Sequence, residues 1–252
     1  MKEKYFNINE YGSSIRCKMY LNDIKSVKRA VICGHGFGGH KDNKAAERFA
    51  DYILKKHKDT AVITFNAPCH GDDVKKKLTL DDCDTYIKAV TEYSAKQFRT
   101  DELYGYATSF GGYLFLRYIS DNASPFKKLA LRCPAVNMYD VLSQRIMSPA
   151  EQKALSRNKP ILVGFDRKIK VTQAFLDELK AADITQRDFT KLADDILILH
   201  GTKDEVVPVD SSKAFAEKNS IRFIPVENAD HRFKNPLTMD AAIKEIEEFF
   251  GI

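Results

Sequence analysis

Three residue types that together can activate a hydroxyl occur in this chain, each beside small residues at the end of an apolar run. Ser109 lies in Gly-Tyr-Ala-Thr-Ser-Phe-Gly-Gly at 105–112, Asp204 in His-Gly-Thr-Lys-Asp at 200–204, and His231 in Ala-Asp-His at 229–231. A serine hydroxyl is a poor nucleophile at neutral pH and needs an imidazole to take its proton. That imidazole needs a carboxylate to fix its tautomer and stabilise its cation. The chemistry implied is attack on a carbonyl carbon, which also requires donors for the oxyanion that develops. Backbone N–H groups can serve: that of Phe37, in the glycine-rich His35–His40 loop, and that of Phe110, directly after the serine.

Positioning these groups is a matter of the elements around them. Continuous apolar runs at Ala30–Cys33, Ala61–Phe65, Glu102–Tyr106, Leu129–Cys133 and Ile196–Leu199 read as strands covered on both faces, and Ile221–Val226 adds another. Tyr5–Asn9 and Ile15–Leu21 alternate polar and apolar residues around a turn, which predicts an antiparallel hairpin at a sheet edge. Between the runs lie helical stripes: Ala45, Phe49, Tyr52 and Ile53, then Tyr86, Ile87, Val90 and Tyr93, and finally Ile243, Ile246, Phe249 and Phe250. Strand-helix alternation predicts an α/β fold with a mostly parallel central sheet flanked by helices. In such sheets, ligands bind beyond the carboxyl ends of the strands, where Ser109, Asp204 and His231 all fall.

The alternation breaks between Pro134 and Lys191. One helix is expected over about 138–157, a small hairpin of Ile161–Val163 with Ile169–Val171, and another helix near 172–182. The segment 135–190 is too short and polar for a core of its own, so it reads as a lid inserted into a single domain spanning 1–252.

Composition narrows the remaining classes. The chain is 44% hydrophobic and 30% charged, with a net charge of +5 from 40 basic and 35 acidic residues. No basic stripe interleaved with aromatics is present, so nucleic acid is not an expected partner. No apolar stretch is long enough to span a bilayer. The five scattered cysteines form no Cys-x-x-Cys pair and the first residues carry no apolar leader, which together predict reduced thiols and a cytoplasmic location. Neither a metal-binding motif nor a phosphate-cradle signature is present, so no cofactor is expected.

Four motifs, His-Gly-Phe-Gly-Gly-His at 35–40, Asn-Ala-Pro-Cys-His-Gly-Asp-Asp at 66–73, Ala-Thr-Ser-Phe-Gly-Gly at 107–112 and His-Gly-Thr-Lys-Asp-Glu-Val-Val-Pro at 200–208, are closed by Ala-Asp-His at 229–231. This set resembles the α/β-hydrolase superfamily, and within it the small lidded serine hydrolases that include cinnamoyl and feruloyl esterases and monoglyceride-lipase-like enzymes. The resemblance implies Ser109 as nucleophile, Asp204 as acid, His231 as base, and Phe37 and Phe110 as oxyanion donors. It also implies a small ester substrate, with His35, Gly36 and Phe165 beside the substrate pocket.

Two departures stand out. Ala107 replaces the first glycine of the family's Gly-x-Ser-x-Gly, and Ala67-Pro68-Cys69-His70-Gly71 replaces the usual Arg-Gly-His-Gly. His35, His70 and His200 each precede a glycine at a strand end and read as structural supports. Peptidase, amidase, thioesterase and acyltransferase chemistry would use the same three residues. A peptidase for free N-termini would want acidic side chains at the pocket, with Asp177 and Glu178 as candidates. A non-catalytic binding protein on the same scaffold is the reading from another class.

Overall fold

The structure, a computed structural model, describes residues 1–164 and 167–252. The N-terminal hairpin forms from β1 (Lys2–Glu10) and β2 (Ser13–Leu21), antiparallel, with Lys2 opposite Leu21. The chain then alternates through β3 (Arg29–Gly34), α1 (Lys44–Lys56), β4 (Thr60–Phe65), α2 (Leu80–Phe98), β5 (Leu103–Thr108), α3 (Phe110–Asp121) and β6 (Lys128–Arg132). Next come α4 (Met138–Asp140), α5 (Pro149–Leu155), β7 (Ile161–Val163), β8 (Ile169–Val171) and α6 (Gln173–Ala181). β9 (Ile196–Gly201), α7 (Val209–Lys218), β10 (Arg222–Val226) and α8 (Pro236–Phe250) complete the order.

Eight strands form one sheet in the order β1-β2-β4-β3-β5-β6-β9-β10. Pairing is parallel from β4 through β10, and the hairpin joins β4 antiparallel at the edge. The continuous apolar runs are explained by burial on both faces. On β3, Ala30 and Ile32 face a core built with α2 and α3, while Val31 and Cys33 face the opposite core with α1 and α8. With helices on both sides, neither face of a strand can be polar. Among the described residues, no helix is long and apolar enough to cross a membrane.

The segment between β6 and β9 packs its apolar side chains, including Val141, Leu142, Met147, Leu155 and Phe175, into the same core as α2 and α3. The single helix expected over about 138–157 is divided. A wide π-helical turn covers Val141–Ile146, and α5 starts afresh at Pro149. Ser148 and Glu151 form a reciprocal cap there. A residue before proline is held away from the helical region, so the chain cannot run straight through. β7 and β8 pair antiparallel as expected. α6 is fastened to the sheet-covering helices: Glu178 Oε2 accepts from the Leu80 N–H at 2.8 Å, and Tyr113 Oη donates to the Ala182 carbonyl at 3.0 Å.

A close backbone contact lies where α3 crosses the end of β3. A Cβ on Gly111 would lie 2.6 Å from the His35 carbonyl oxygen and 2.8 Å from the Gly34 carbonyl carbon. Both are backbone atoms and cannot swing aside. Gly111→Ala is therefore expected to cost about 2–3 kcal/mol, lowering the melting temperature by roughly 5–10 °C in a thermal scan. A melting point unchanged from the parent would show that α3 can shift away.

Candidate active site

Ser109 occupies the corner between β5 and α3 with φ 52° and ψ −119°. A side chain at positive φ costs about 1–3 kcal/mol unless its surroundings impose it. Here they do. The Ser109 N–H donates to the Arg132 carbonyl on β6 at 3.1 Å, and its own carbonyl accepts from Tyr113 in α3 and Ala135 beyond β6, both at 3.1 Å. The corner is thereby stitched to two neighbouring elements. Its hydroxyl makes no hydrogen bond with any described residue, and Phe110, as the first residue of α3, has an N–H with no intrahelical acceptor.

Ala107 is accommodated by the adjacent strand. Gly34 lies opposite it in register, and a Cβ on Gly34 would come 3.2 Å from the Ala107 Cβ and 3.0 Å from the Phe115 ring. The site tolerates one methyl between the two strands, and the chain places it on β5 rather than on β3.

The glycine-rich loop lies directly over the serine. A Cβ on Gly36 would be 3.3 Å from Ser109 Cβ and 3.7 Å from its Oγ. The loop closes through the Gly39 N–H to Gly36 carbonyl bond at 2.9 Å, and the Phe37 N–H is left without an acceptor among the described residues. His35 holds the loop in place. Its Nε2 accepts from the Ala67 N–H at 3.0 Å, which leaves Nδ1–H to donate to the Gly36 carbonyl at 2.8 Å. Both nitrogens of this 7% exposed ring are committed to the frame. Burial, assisted by the neighbouring His70, pushes its pKa down to about 3. His70 donates through Nδ1 to the Pro68 carbonyl at 2.8 Å, and burial pushes it down to about 4. Phe37 packs edge-on against both the His70 ring and Phe110, and Phe110 in turn meets Phe175 of α6 edge-on at 6.4 Å. Phe165 lies outside the described residues.

Asp204 follows β9 and His231 follows β10, the neighbouring strand. Asp204 Oδ2 accepts from His231 Nδ1 at 2.7 Å, so His231 Nε2 is free on the far side of the ring. Asp204 Oδ1 accepts from the Val206 and Val207 N–H groups, each at 2.8 Å. Burial of this carboxylate alone would raise its pKa. The hydrogen bonds from His200 and His231 and from the Val207 amide outweigh burial and hold it well below the ordinary carboxylate range. The loop bearing His231 is anchored by Arg132, whose Nη1 donates to the Arg232 carbonyl at 3.0 Å while its guanidinium lies over the Phe233 ring. Asp230, the competing carboxylate, accepts from the Lys234 N–H at 2.9 Å within its own loop.

The contact of His200 with Asp204 is the feature that sequence reasoning missed. Its Nε2 stands 3.1 Å from Asp204 Oδ2, with both side chains fully buried. The available signal was the spacing of four residues across a turn that folds back on the strand end. Cys133 Sγ, a His200 ring nitrogen and an Asp204 oxygen come within 4.8 Å of one another. The Asp204 oxygens are already occupied by four N–H donors, and burial drives the Cys133 thiol well above its ordinary pKa. This donor set fits a hydrogen-bonded cluster rather than a cation site.

The sheet order, with helices crossing both faces, is that of the α/β-hydrolase fold. Residues 25–162 match the family described as serine aminopeptidase, S33 (Hydrolase_4), and the chain belongs to that family. Est1E of Butyrivibrio proteoclasticus, solved with ferulic acid bound, is 21% identical with a TM-score of 0.73, covering 98% of this chain and 100% of its own. Alpha/beta hydrolase domain-containing protein 10 from mouse is 16% identical with a TM-score of 0.73, covering 100% and 99%. A putative hydrolase from Agrobacterium vitis is 16% identical with a TM-score of 0.75, covering 99% and 98%. Comparison with curated proteins gives no significant match.

Two outcomes follow from the frame around Ser109. Glycine relieves positive φ, so Ser109→Gly is expected to melt roughly 2–4 °C above Ser109→Ala, which keeps the strain. A glycine variant melting no higher than the alanine variant would contradict strain at this corner. Acid should also weaken the fold. Unfolded histidines bind protons from pH 6.5 downward, whereas native His35 and His70 refuse them until about 3 and 4. Stability is thus present above pH 6.5 and falls below it, by about 1.4 kcal/mol per pH unit for each ring. Urea midpoints taken at pH 7 and pH 5 should show a shallower fall in His70→Gln than in the parent. Equal slopes would mean that His70 takes up its proton without unfolding.

Proposed function

We propose that this chain is a carboxylic-ester hydrolase acting on small aromatic or short acyl esters through an acyl-enzyme on Ser109. The observation that carries the proposal is the 2.7 Å bond from His231 Nδ1 to a buried Asp204, beside a strand end that presents a serine at positive φ. His231 Nε2 takes the Ser109 proton as Oγ attacks the ester carbonyl. The imidazolium formed is stabilised by Asp204, and the oxyanion is held by the N–H groups of Phe37 and Phe110. His231 then protonates the departing alcohol and activates the water that releases the acid. In the unliganded protein the serine and base need not be in contact, since such bonds commonly tighten only around the reacting group. Residues 135–190 act as the lid, and the half-buried ring of Phe37, edge-on to Phe110 in the loop over the serine, favours an apolar or aromatic acyl group. The five cysteines, all free, suit a reducing cytoplasmic compartment.

The family description favours an aminopeptidase as second reading. Against it, the two acids best placed in sequence are engaged elsewhere. Glu178 binds the Leu80 N–H, and Asp177 accepts from Gln173 Nε2 at 2.8 Å.

A fluorophosphonate probe should label Ser109 in the folded protein, and Ser109→Ala should lower esterase kcat by at least about 10³-fold. Methyl ferulate and a p-nitrophenyl acyl series, compared with aminoacyl p-nitroanilides, separate the two readings. Absence of labelling at Ser109 rules out the acyl-enzyme, and faster turnover of the anilides rules out the ester preference.

A further inference from the structure

The acyl-transfer scheme leaves one imidazole on the acid without a task. His200, near the end of β9, is fully buried. Its Nε2 stands 3.1 Å from Asp204 Oδ2 and 3.1 Å from the Val207 carbonyl oxygen. Both neighbours are acceptors, so the ring carries its proton on Nε2 and shares it between them. Nδ1 is buried with no hydrogen-bond partner among the described residues. A ring nitrogen left bare in the interior is costly, and what this placement secures is the second nitrogen's bond to the acid.

Asp204 is consequently gripped on both oxygens. Oδ1 takes the two amides of the turn, and Oδ2 takes two imidazoles, His231 at 2.7 Å and His200 at 3.1 Å. The amides fix the carboxylate's position but not the direction in which Oδ2 offers its lone pairs. One of those is taken by His200, which leaves the other aimed at His231. Among the described residues, the titratable groups near the cluster include Cys133 just after β6, Arg132 on β6, and Arg232 and the Asp230–Lys234 pair in the His231 loop.

We propose that His200 is a positioning residue for the acid, whose Nε2–H aims Asp204 Oδ2 at His231 and moderates the hold of the carboxylate on the charged form of that base. The proposal rests on the roles given above to Ser109, Asp204 and His231. Removing the His200 donor concentrates the carboxylate's charge on its remaining partners. The protonated form of His231 is then held more tightly, and the base is lost at a higher pH. The imidazolium so held gives its proton to the departing alcohol less readily, so kcat falls while substrate binding is untouched.

The test compares the full chain with His200→Met, which removes the donor at similar volume, and His200→Gln, which restores an N–H at similar reach. Hydrolysis of p-nitrophenyl acetate is followed from pH 5 to pH 9, with active sites counted by fluorophosphonate labelling. In His200→Met, kcat per labelled site should fall about tenfold at unchanged KM. The acid limb of kcat/KM should move up by roughly half to one pH unit, less than the roughly one to two units that a hydrogen bond made directly to a charged group is worth, because the effect reaches His231 through Asp204. His200→Gln should return the limb to the parental position. If His200→Met does not fold, His200→Asn, whose amide falls short of Asp204, should show the same displacement. An acid limb unmoved in every folded variant, with activity lost only in proportion to labelled sites, overturns the proposal. A parent protein that neither labels nor turns over the ester overturns the reading on which it rests as well.

Discussion

The strained corner at Ser109 is the constraint from which the rest of the site follows. A residue with a side chain is held at φ 52° by bonds to β6, to the segment after β6 and to the first turn of α3. No isolated strand-helix turn would adopt this conformation, because the penalty must be covered by contacts distant in sequence. The corner sends α3 across the end of β3 so closely that only a hydrogen fits on Gly111. That crossing in turn sets the height of the His35–His40 loop above the serine. Fold and site are thus one packing problem, and relaxing the corner would also release the loop.

The polar frame around the corner works by saturation. His35 spends both nitrogens between two loops. Asn66 accepts from the Lys41 N–H and donates to Asp72, tying the loop after β4 to the start of α1. Asp204 accepts four N–H bonds. Each of these groups would be expensive to bury alone, and each is satisfied by backbone or side chains from another strand end. Such groups hold geometry well because no partner can leave without exposing another to an unpaired state.

Much of this was legible in the sequence because chain-local rules suffice for it. Doubly buried strands produce continuous apolar runs, and reactive residues at strand ends must lie on one rim of a parallel sheet. The edge hairpin and the β7–β8 pair were readable for the same reason. Other features depend on partners that the sequence does not name. The methyl of Ala107 is tolerated because Gly34 faces it across the sheet, and nothing near Ala107 announces that exchange. The helix expected over 138–157 breaks because a proline cap and a π-turn meet, and helical periodicity alone does not register either. Reading His200 as a support misses its contact with Asp204, because that contact exists only once the turn after β9 folds back.

The segment between β6 and β9 carries the same logic outward to the substrate. A flap that swings freely would leave its polar groups unattached, whereas here two of them are spent on attachment. Glu178 caps the start of α2, the Ala182 carbonyl takes the Tyr113 hydroxyl, and Phe175 meets Phe110 beside the serine. α2 and α3 are the helices that cover one face of the central sheet, so α6 inherits their rigidity. Phe175 backs Phe110 from this segment, and Phe110 backs the half-buried Phe37 ring of the loop over the serine. Selectivity at such a surface comes from the shape of the acyl group. On the proposed reading, discrimination among esters therefore rests with the Phe37 ring that Phe110 and Phe175 support, while the chemistry that all of them undergo is set by the strand ends beneath.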